Sequence, residues 1–253
     1  MFEASHLQYN IVSGYIQIVS DGHHLPAFWA HPEMGGPFPG LVMLHDRWGL
    51  TAHIRAQARR FAEQGYYVIA PDLFKRQTAH TDQQAEALIA QVGEAAMSHV
   101  TTALNALKTH HKCDGRIGLI GWGMGGDLAL RMAAIREEPN GVVTFDSLPD
   151  AVTPAELRAL SCPLLAVFSG QDPASPIEQI EALRQTLEGA AFAHEVVLYP
   201  DVGRGFFDDS RPEFEPQAAE DAWKRALAFL NETLEVEPPA PHSPDPFEPG
   251  SVY

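Results

Sequence analysis

The loop at residues 121–126 has the residue types and the position of a catalytic turn. Its sequence, GWGMGG, begins at the end of the apolar segment RIGLIG and leads into the helix-forming segment DLALRMAA. Glycines on both sides of a central residue are typical of a nucleophile elbow, a sharp strand-to-helix turn that projects the central side chain into the site. The central residue here is Gly123, which has no hydroxyl, thiol or carboxylate. No covalent intermediate can therefore form on it.

The same glycines are also compatible with a phosphate-binding or dinucleotide-binding loop. However, their spacing is not G-x-G-x-x-G, and the strand before them is not the first of a βαβ unit near the N-terminus. No acidic residue stands at the required distance, at the end of the next strand. The sequence thus disfavours a dinucleotide, and we expect no cofactor.

Segments on both sides of this loop resemble the dienelactone hydrolase family. They are residues 41–73, the segments GLIGWGMGGDLALRMAA and SGQDPASP, and YPDVGRGFFDDSRPEF with the following AAEDAWKRALAFL. The similarity extends over residues 14–232 and keeps the chain order nucleophile, acid, base. The resemblance implies an α/β-hydrolase fold. It also implies a relationship to enzymes that hydrolyse ester or lactone bonds.

The resemblance also assigns roles to single positions. Asp172 matches the catalytic aspartate, but Gly123 stands where the family carries cysteine and Arg204 where it carries histidine. Arginine stays protonated near neutrality, so it cannot act as a general base. Because the histidine of the family pairs with the aspartate, we expect an ion pair between Asp172 and Arg204. Asp46 takes the place of a family glutamate that resembles a controller of the thiolate.

The remaining candidate residues favour a small anionic ligand. Arg76 matches a family arginine that resembles a binder of the substrate carboxylate, and the amino end of the elbow helix is a natural anion site. Trp48 and Trp122 are candidates for the floor of an apolar pocket or, alternatively, for packing. We add Met124 and Asp46 to the candidate ligand-binding residues, and we expect a small carboxylate, with an aromatic body as one option.

Another side chain could in principle replace the missing nucleophile or base. Cys113 and Cys162 are predicted at the amino ends of strands, opposite the site, and no metal-binding spacing such as C-x-x-C occurs. His45, at the carboxyl end of a strand, is predicted to order the oxyanion loop, and His80 is assigned to a nearby loop. Ser147 follows a strand at the same edge, but no base is predicted beside it.

Three hypotheses of different classes follow. The first is a non-catalytic member of a hydrolase family that binds a small anionic metabolite or a partner. The second is a hydrolase with a non-standard mechanism, in which Asp46 or Asp172 activates water. The third is a structural or interaction protein with a filled pocket. Function resides in the site and not in the fold, so the geometry around Gly123 decides among them.

The elements that position these residues alternate between strand and helix along the chain. Residues 14–20 and 25–31, separated by Asp21 and Gly22, predict an N-terminal β-hairpin. The alternation that follows predicts a mostly parallel central sheet with helices on both faces. We predict further strands at residues 41–45, 66–70, 116–121, 141–146, 163–168 and 194–199. We predict helices at residues 51–64, 81–110, 125–135, 177–187 and 218–230, with Gly93 weakening the second.

Length and composition indicate the domain organisation and exclude some classes of partner. The 253 residues suit one α/β domain over residues 1–234, and residues 235–253 are rich in proline and acid and are predicted to be disordered. A docking peptide anchored by Phe247 or Tyr253 is the alternative interpretation of that tail. The net charge of −16 argues against binding to nucleic acid or to anionic membranes.

The N-terminal residues are polar and lack the features of a signal peptide. No apolar run has the length that crossing a bilayer requires, so we expect no membrane segment. A cytoplasmic location is therefore the expectation. The sequence does not indicate an oligomeric state.

Overall fold

The chain folds into one eight-stranded sheet with helices on both faces. The computed structural model describes residues 8–20, 23–148 and 151–236. In those residues the strands are β1 (Ile11–Ser20), β2 (His23–Pro32), β3 (Phe38–Leu44), β4 (Tyr67–Pro71), β5 (Cys113–Trp122), β6 (Pro139–Phe145), β7 (Leu164–Ser169) and β8 (His194–Tyr199). The helices are α1 (Ala52–Ala62), α2 (Asp82–Val92), α3 (Ala95–Thr109), α4 (Met124–Ile135), α5 (Pro154–Arg158), α6 (Ile177–Leu187) and α7 (Pro216–Thr233).

The sheet has the strand order β1-β2-β4-β3-β5-β6-β7-β8. Strands β3 to β8 are parallel, whereas β1 pairs antiparallel with β2, and β2 pairs antiparallel with β4. The predicted mostly parallel sheet and N-terminal hairpin are therefore confirmed. The hairpin turn at residues 21–22 lies outside the described residues. In a parallel sheet the carboxyl ends of the strands share one edge, and the loops there form the site.

Helices cover both faces because the central strands are apolar on both sides. Every residue of β3 and of β7 is buried, as expected for strands without polar alternation. One apolar core lies between the sheet and α2 to α6, and a second lies between the sheet and α1 with α7. In the second core the ring centroids of Phe61 and Trp223 lie 4.3 Å apart. This layered arrangement is that of an α/β-hydrolase fold.

Two local predictions need correction. The single helix predicted at residues 81–110 is divided into α2 and α3, because Gly93 has a φ of 46° that a continuing helix does not allow. The short helix α5 was missed, although Thr153 and Glu156 form a capping box at its start. This helix is stabilised by its capping box and is too short to show a periodic apolar face, so the sequence pattern did not predict it.

The chain continues in contact with the fold after α7. Arg116 donates a hydrogen bond to the carbonyl of Glu235 at 3.0 Å, and Val236 packs against the second core. Most of the predicted tail, residues 237–253, lies outside the described residues. Within the described part of the chain, no helix combines the length and the apolar character needed to cross a membrane.

Candidate functional site

The turn between β5 and α4 has the backbone of a nucleophile elbow. Gly123 has φ 48° and ψ −118°, and its N–H donates to the carbonyl of Phe145 at 2.7 Å. A Cβ atom on Gly121 would lie 2.3 Å from the backbone of Gly125, and one on Gly125 would lie 2.3 Å from the carbonyl oxygen of Leu44. No side chain fits at either position. The two glycines therefore permit the close approach of α4 to the sheet.

Arg204 occupies the space in front of Gly123. Its Nη2 atom lies 2.6 Å from the point where a Cβ atom of residue 123 would be. Its Nη1 atom donates to Oδ2 of Asp172 at 2.8 Å. The loop after β7 supplies the aspartate and the loop after β8 supplies the arginine. The ion pair expected from the sequence is thus present, and it places a guanidinium where the family has a nucleophile.

The two partners of this pair differ in exposure. The Asp172 side chain is only 1 % exposed, whereas that of Arg204 is 35 % exposed. Asp172 also accepts a hydrogen bond from the Ala174 N–H through Oδ1 at 2.9 Å. Each carboxylate oxygen therefore has one donor, and Arg204 supplies the only cationic one among the described residues. The buried carboxylate depends on this arginine for compensation of its charge.

Replacing Arg204 with methionine is expected to destabilise the protein. Removal of one partner leaves a buried carboxylate unpaired, which typically costs about 3–5 kcal/mol when both partners are buried. Because Arg204 is one-third exposed, we expect about 1–3 kcal/mol. Urea unfolding of the single variant, of Asp172→Asn and of the double variant would measure the coupling. Additive effects of the two substitutions would contradict this role of the pair.

A cavity of about 270 Å³ opens beside Gly123. Aromatic rings and charged side chains share its wall, and it is not filled by the protein. The aromatic residues are Trp48, Trp122, Phe145 and Phe207, and the charged ones are Arg47, Arg204, Arg211, Asp46, Asp82, Asp146, Asp208 and Glu213. Of the three hypotheses, an open cavity favours binding or catalysis over a purely structural role.

The two tryptophans in the wall have different environments. Trp122 is buried and stacks on Phe145, with ring centroids 5.2 Å apart and planes 7° from parallel. Its Nε1 donor has no hydrogen-bond partner within the described part of the chain. Trp48 lies near two guanidinium groups, with Arg47 at 5.4 Å and Arg211 at 4.7 Å from its ring centre. Both tryptophans line the cavity, which is one of the two alternatives that the sequence left open for them.

Asp46 is the acid closest to the elbow. Its Cβ atom lies 3.8 Å from the point where a Cβ of residue 123 would be, and its Oδ1 accepts from the Trp48 N–H at 2.9 Å. Burial raises the pKa of Asp46 to about 6, against the opposing effects of that hydrogen bond and of Arg211 and Arg204. Asp46 therefore changes its charge just below neutral pH.

The Asp46→Asn variant is expected to be more stable than the wild type at pH 8. The folded-state pKa lies above that of the unfolded chain, so the charged form destabilises the fold at high pH, and the penalty disappears as the pH falls from about 6 to about 4. Asparagine keeps the acceptor for Trp48 and carries no charge. We expect a gain of about 1–3 kcal/mol at pH 8 and none near pH 4. Urea unfolding at both pH values tests this, and equal stabilities at pH 8 would contradict it.

His53 was missed in the analysis of the sequence. It lies in the first turn of α1, lines the cavity, and has a side chain only 5 % exposed. Its Nδ1 faces Oδ1 of Asp208 at 3.5 Å and Oδ1 of Asp209 at 3.6 Å. Burial lowers the pKa of His53, although both carboxylates act in the opposite direction. The first turn of a helix that follows a site loop also lies at the carboxyl edge of the sheet. The position of His53 in such a turn could have identified it as a candidate site residue.

Arg76 and Met124 do not line the cavity beside Gly123. Arg76 lines a separate cavity with Arg55, and its N–H donates to Oδ2 of Asp72 at 2.7 Å. Lys75 and Arg76, in the turn after β4, both have positive φ, which is uncommon for residues other than glycine. Met124 packs against the first core. The expectation that both residues belong to the site at Gly123 therefore needs correction.

His45 has the structural role predicted for it. The ring is fully buried, Nε2 accepts from the Leu73 N–H at 3.1 Å, and Nδ1 donates to the Asp46 carbonyl at 2.7 Å. Burial lowers its pKa to about 4, which keeps it neutral. His45 thus joins the loop after β3 to the loop after β4 and is not available as a base.

The other candidates for relocated chemistry do not line the cavity either. Ser147 is buried and donates to the Thr144 hydroxyl at 3.2 Å. Cys113 begins β5 and Cys162 precedes β7, at the amino ends of strands as predicted, and both are free thiols. His80 does not line the cavity, and its N–H donates to a glutamine side chain. None of these groups can act at Gly123.

Comparison with known proteins agrees with this geometry. The model of the family described as "Dienelactone hydrolase family" matches residues 25–234. A protein of Escherichia coli K12 described as "Putative carboxymethylenebutenolidase" is 31% identical over 242 residues, which cover 88% of each chain. A protein of Methylorubrum extorquens AM1 with the same description is 29% identical over 230 residues, covering 85% of this chain and 79% of its own.

Solved structures include close matches to the fold. The crystal structure titled "Putative Dienelactone Hydrolase" from Klebsiella pneumoniae superposes with a TM-score of 0.80 and 27% identity. The match covers 88% of this chain and 99% of that one. The two proteins therefore share the fold over most of their length.

Proposed function

This chain belongs to the dienelactone hydrolase family, and we propose that it binds a small carboxylate beside Gly123 without forming a covalent intermediate. The position of Arg204 carries this proposal. Its Nη2 atom stands in the space of the missing nucleophile, while Nη1 is held by Asp172. A guanidinium fixed in this way cannot accept a proton, but it can donate a charge-assisted hydrogen bond to an anion.

A carboxylate with a flat, apolar body matches the donors and the rings of the cavity. Nη2 of Arg204 and Nε1 of Trp122 have no hydrogen-bond partner among the described residues, and both side chains line the cavity. The name of the bacterial relatives, carboxymethylenebutenolidase, denotes action on a lactone that bears a carboxymethylene group. A related carboxylate is therefore the ligand class that we propose for this chain.

Acidic residues in the wall do not exclude an anion, because several of them are already paired. Asp82 contacts Arg47 at 3.3 Å, and Glu213 contacts Arg211 at 3.5 Å. A direct hydrogen bond from a charged donor is worth about 1.5–3 kcal/mol. Solvent partly screens the repulsion from these two paired acids, whereas Asp46 next to Gly123 opposes an anion except when it is protonated.

Titration calorimetry with benzoate and benzylamine tests the proposal, since the two probes share a ring and carry opposite charges. We expect benzoate to bind and benzylamine to give no heat. Arg204→Met is expected to weaken benzoate by about 10- to 150-fold, the equivalent of one charge-assisted hydrogen bond. Arg76→Met is the matched control, because Arg76 lines a different cavity. Preference for benzylamine, or equal loss in both variants, would contradict the proposal.

A second candidate function is hydrolysis by water that Asp46 activates. The position of Asp46 beside the elbow and its raised pKa favour it, because a general base works best near the operating pH. The base is the deprotonated form, so the rate should rise with pH through about 6 and then level off. A pH–rate profile with p-nitrophenyl acetate measures this. A flat profile at background, or a profile unchanged in Asp46→Asn, would exclude the second candidate.

A further inference from the structure

An imidazole and two carboxylates meet at the edge of the cavity. His53 from α1 faces Asp208 and Asp209 from the loop after β8, and one ligand atom of each lies within 4.8 Å of the others. The distances from His53 Nδ1 to the two Oδ1 atoms are 3.5 and 3.6 Å, which is long for a hydrogen bond. Two atoms that bind one tetrahedral Zn²⁺ at about 2.1 Å lie about 3.4 Å apart. The spacing therefore suits a shared metal ion.

Among the described residues, no arginine or lysine forms an ion pair with either of the two adjacent carboxylates. Within the described residues, His53 is the only basic side chain within ion-pair distance of Asp208 or Asp209. The nearby Arg211 contacts Glu213 at 3.5 Å and lies over the ring of Trp48. Like charges so close together repel, and a divalent cation between them removes the repulsion.

His53 itself lacks a good partner. Its side chain is 5 % exposed, and its Nε2 atom is buried with no hydrogen-bond partner in the described part of the chain. Nδ1 is left with the two long contacts to the carboxylates. An imidazole nitrogen in a buried side chain that faces two carboxylates at more than hydrogen-bonding distance indicates a cation between the three groups, whereas Nε2 lies on the other side of the ring and is not one of the proposed ligand atoms.

We propose that His53, Asp208 and Asp209 bind a Zn²⁺ ion. A nitrogen ligand with two carboxylates suits a borderline metal of this kind, whereas Mg²⁺ prefers oxygen ligands alone. The N–H and hydroxyl of Ser210 donate to Oδ1 of Asp208 at 2.9 and 2.6 Å and so fix the orientation of this ligand. Three protein ligands leave a fourth position for water or for a small molecule in the cavity.

This site is independent of the carboxylate ligand proposed above. Metal binding is measured with Zn²⁺ alone, in competition with a chromophoric chelator, and with Co²⁺ as a spectroscopic probe. We expect one tight site per chain and the intense visible absorption of tetrahedral Co²⁺. Zn²⁺ should also raise the melting temperature of the wild type, since it binds the folded chain.

Two substitutions and two matched controls localise the ion. Asp209→Asn and His53→Gln should each weaken Zn²⁺ binding by at least about tenfold and abolish the Co²⁺ absorption. Asp201→Asn, an exposed acid in the same loop, and His80→Gln, an exposed histidine elsewhere, should leave both unchanged. Asp209 is 76 % exposed, so its substitution tests the site even if His53→Gln does not fold.

Three results would overturn the proposal. One is the absence of Zn²⁺ binding to the wild type at micromolar concentrations. Another is unchanged affinity in Asp209→Asn, which would assign the binding to scattered surface histidines. The third is an equal loss of affinity in the control variants. Failure of benzoate to bind would affect only the carboxylate proposal, because no organic ligand enters the metal titration.

Discussion

The double variant Gly123→Cys/Arg204→His is expected to hydrolyse p-nitrophenyl acetate, whereas the wild type and both single variants stay near background. The cysteine would supply a thiol at the amino end of α4, where the helix favours the thiolate. The histidine would supply a base that Asp172 can orient, since Asp172 already binds the side chain at position 204. Because the members of a triad act as a unit, neither change should suffice alone.

The structure adds a steric reason for this dependence. A Cβ atom at residue 123 would lie 2.6 Å from Nη2 of Arg204, so Gly123→Cys alone forces the guanidinium to move. Arg204→His removes the guanidinium and at the same time restores the general base. The positive φ at Gly123 adds a strain of about 1–3 kcal/mol for any side chain. Thermal melts are therefore needed to show that each variant is folded.

Steady-state hydrolysis by the four proteins measures the effect. We expect the double variant to exceed either single variant by at least about tenfold, well below the roughly 10⁶-fold attributed to a native triad. Adding Asp172→Asn to the double variant should abolish the gain, because the histidine then loses its orienting partner. A folded double variant with no activity would show that the cavity has diverged beyond these two positions.

Gly125→Ala is expected to prevent folding or to lower the free energy of unfolding by more than about 3 kcal/mol. The new Cβ atom would lie 2.3 Å from the carbonyl oxygen of Leu44, which belongs to the backbone of the central strand β3 and cannot rotate away. Overpacking against mobile side chains costs about 1–3 kcal/mol, and a rigid backbone costs more. The elbow therefore remains under structural constraint even though its nucleophile is absent.

Gly203→Ala is the matched control for this prediction. Gly203 is also a glycine of the site loops, adjacent to Arg204, but a Cβ atom there would meet nothing within 4 Å and its φ is unremarkable. Its variant should unfold in urea close to the wild type. Equal stability of Gly125→Ala and Gly203→Ala would mean that the elbow can relax, and would contradict the constraint.

Much of the fold follows from patterns that the sequence shows directly. Continuous apolar segments such as residues 41–44 predicted buried central strands, and β3 is buried at every position. The glycines around residue 123 predicted the elbow because their spacing reflects close backbone contacts. The pairing of Asp172 with Arg204 was also predictable, since opposite charges at two positions that meet in the family leave few other arrangements.

The residues that the sequence analysis misplaced depend on tertiary structure. Arg76 lies at another cavity, in a turn where Lys75 and Arg76 adopt positive φ, held by hydrogen bonds to Asp72, and no propensity rule predicts this in non-glycine residues. His53 belongs to a helix, whereas the sequence predicts site residues at the carboxyl ends of strands. Its carboxylate partners lie far along the chain, after β8, so only the folded structure brings them together.

A crystal structure of the wild-type protein with benzoate tests the central claim most directly. We predict that the carboxylate lies within about 3 Å of Nη2 of Arg204, with the ring against Trp48 or Trp122 and with the Asp172–Arg204 pair intact. Benzoate bound at Arg76 instead, with the cavity beside Gly123 empty, would contradict the claim that Arg204 has converted a nucleophile's position into a binding site.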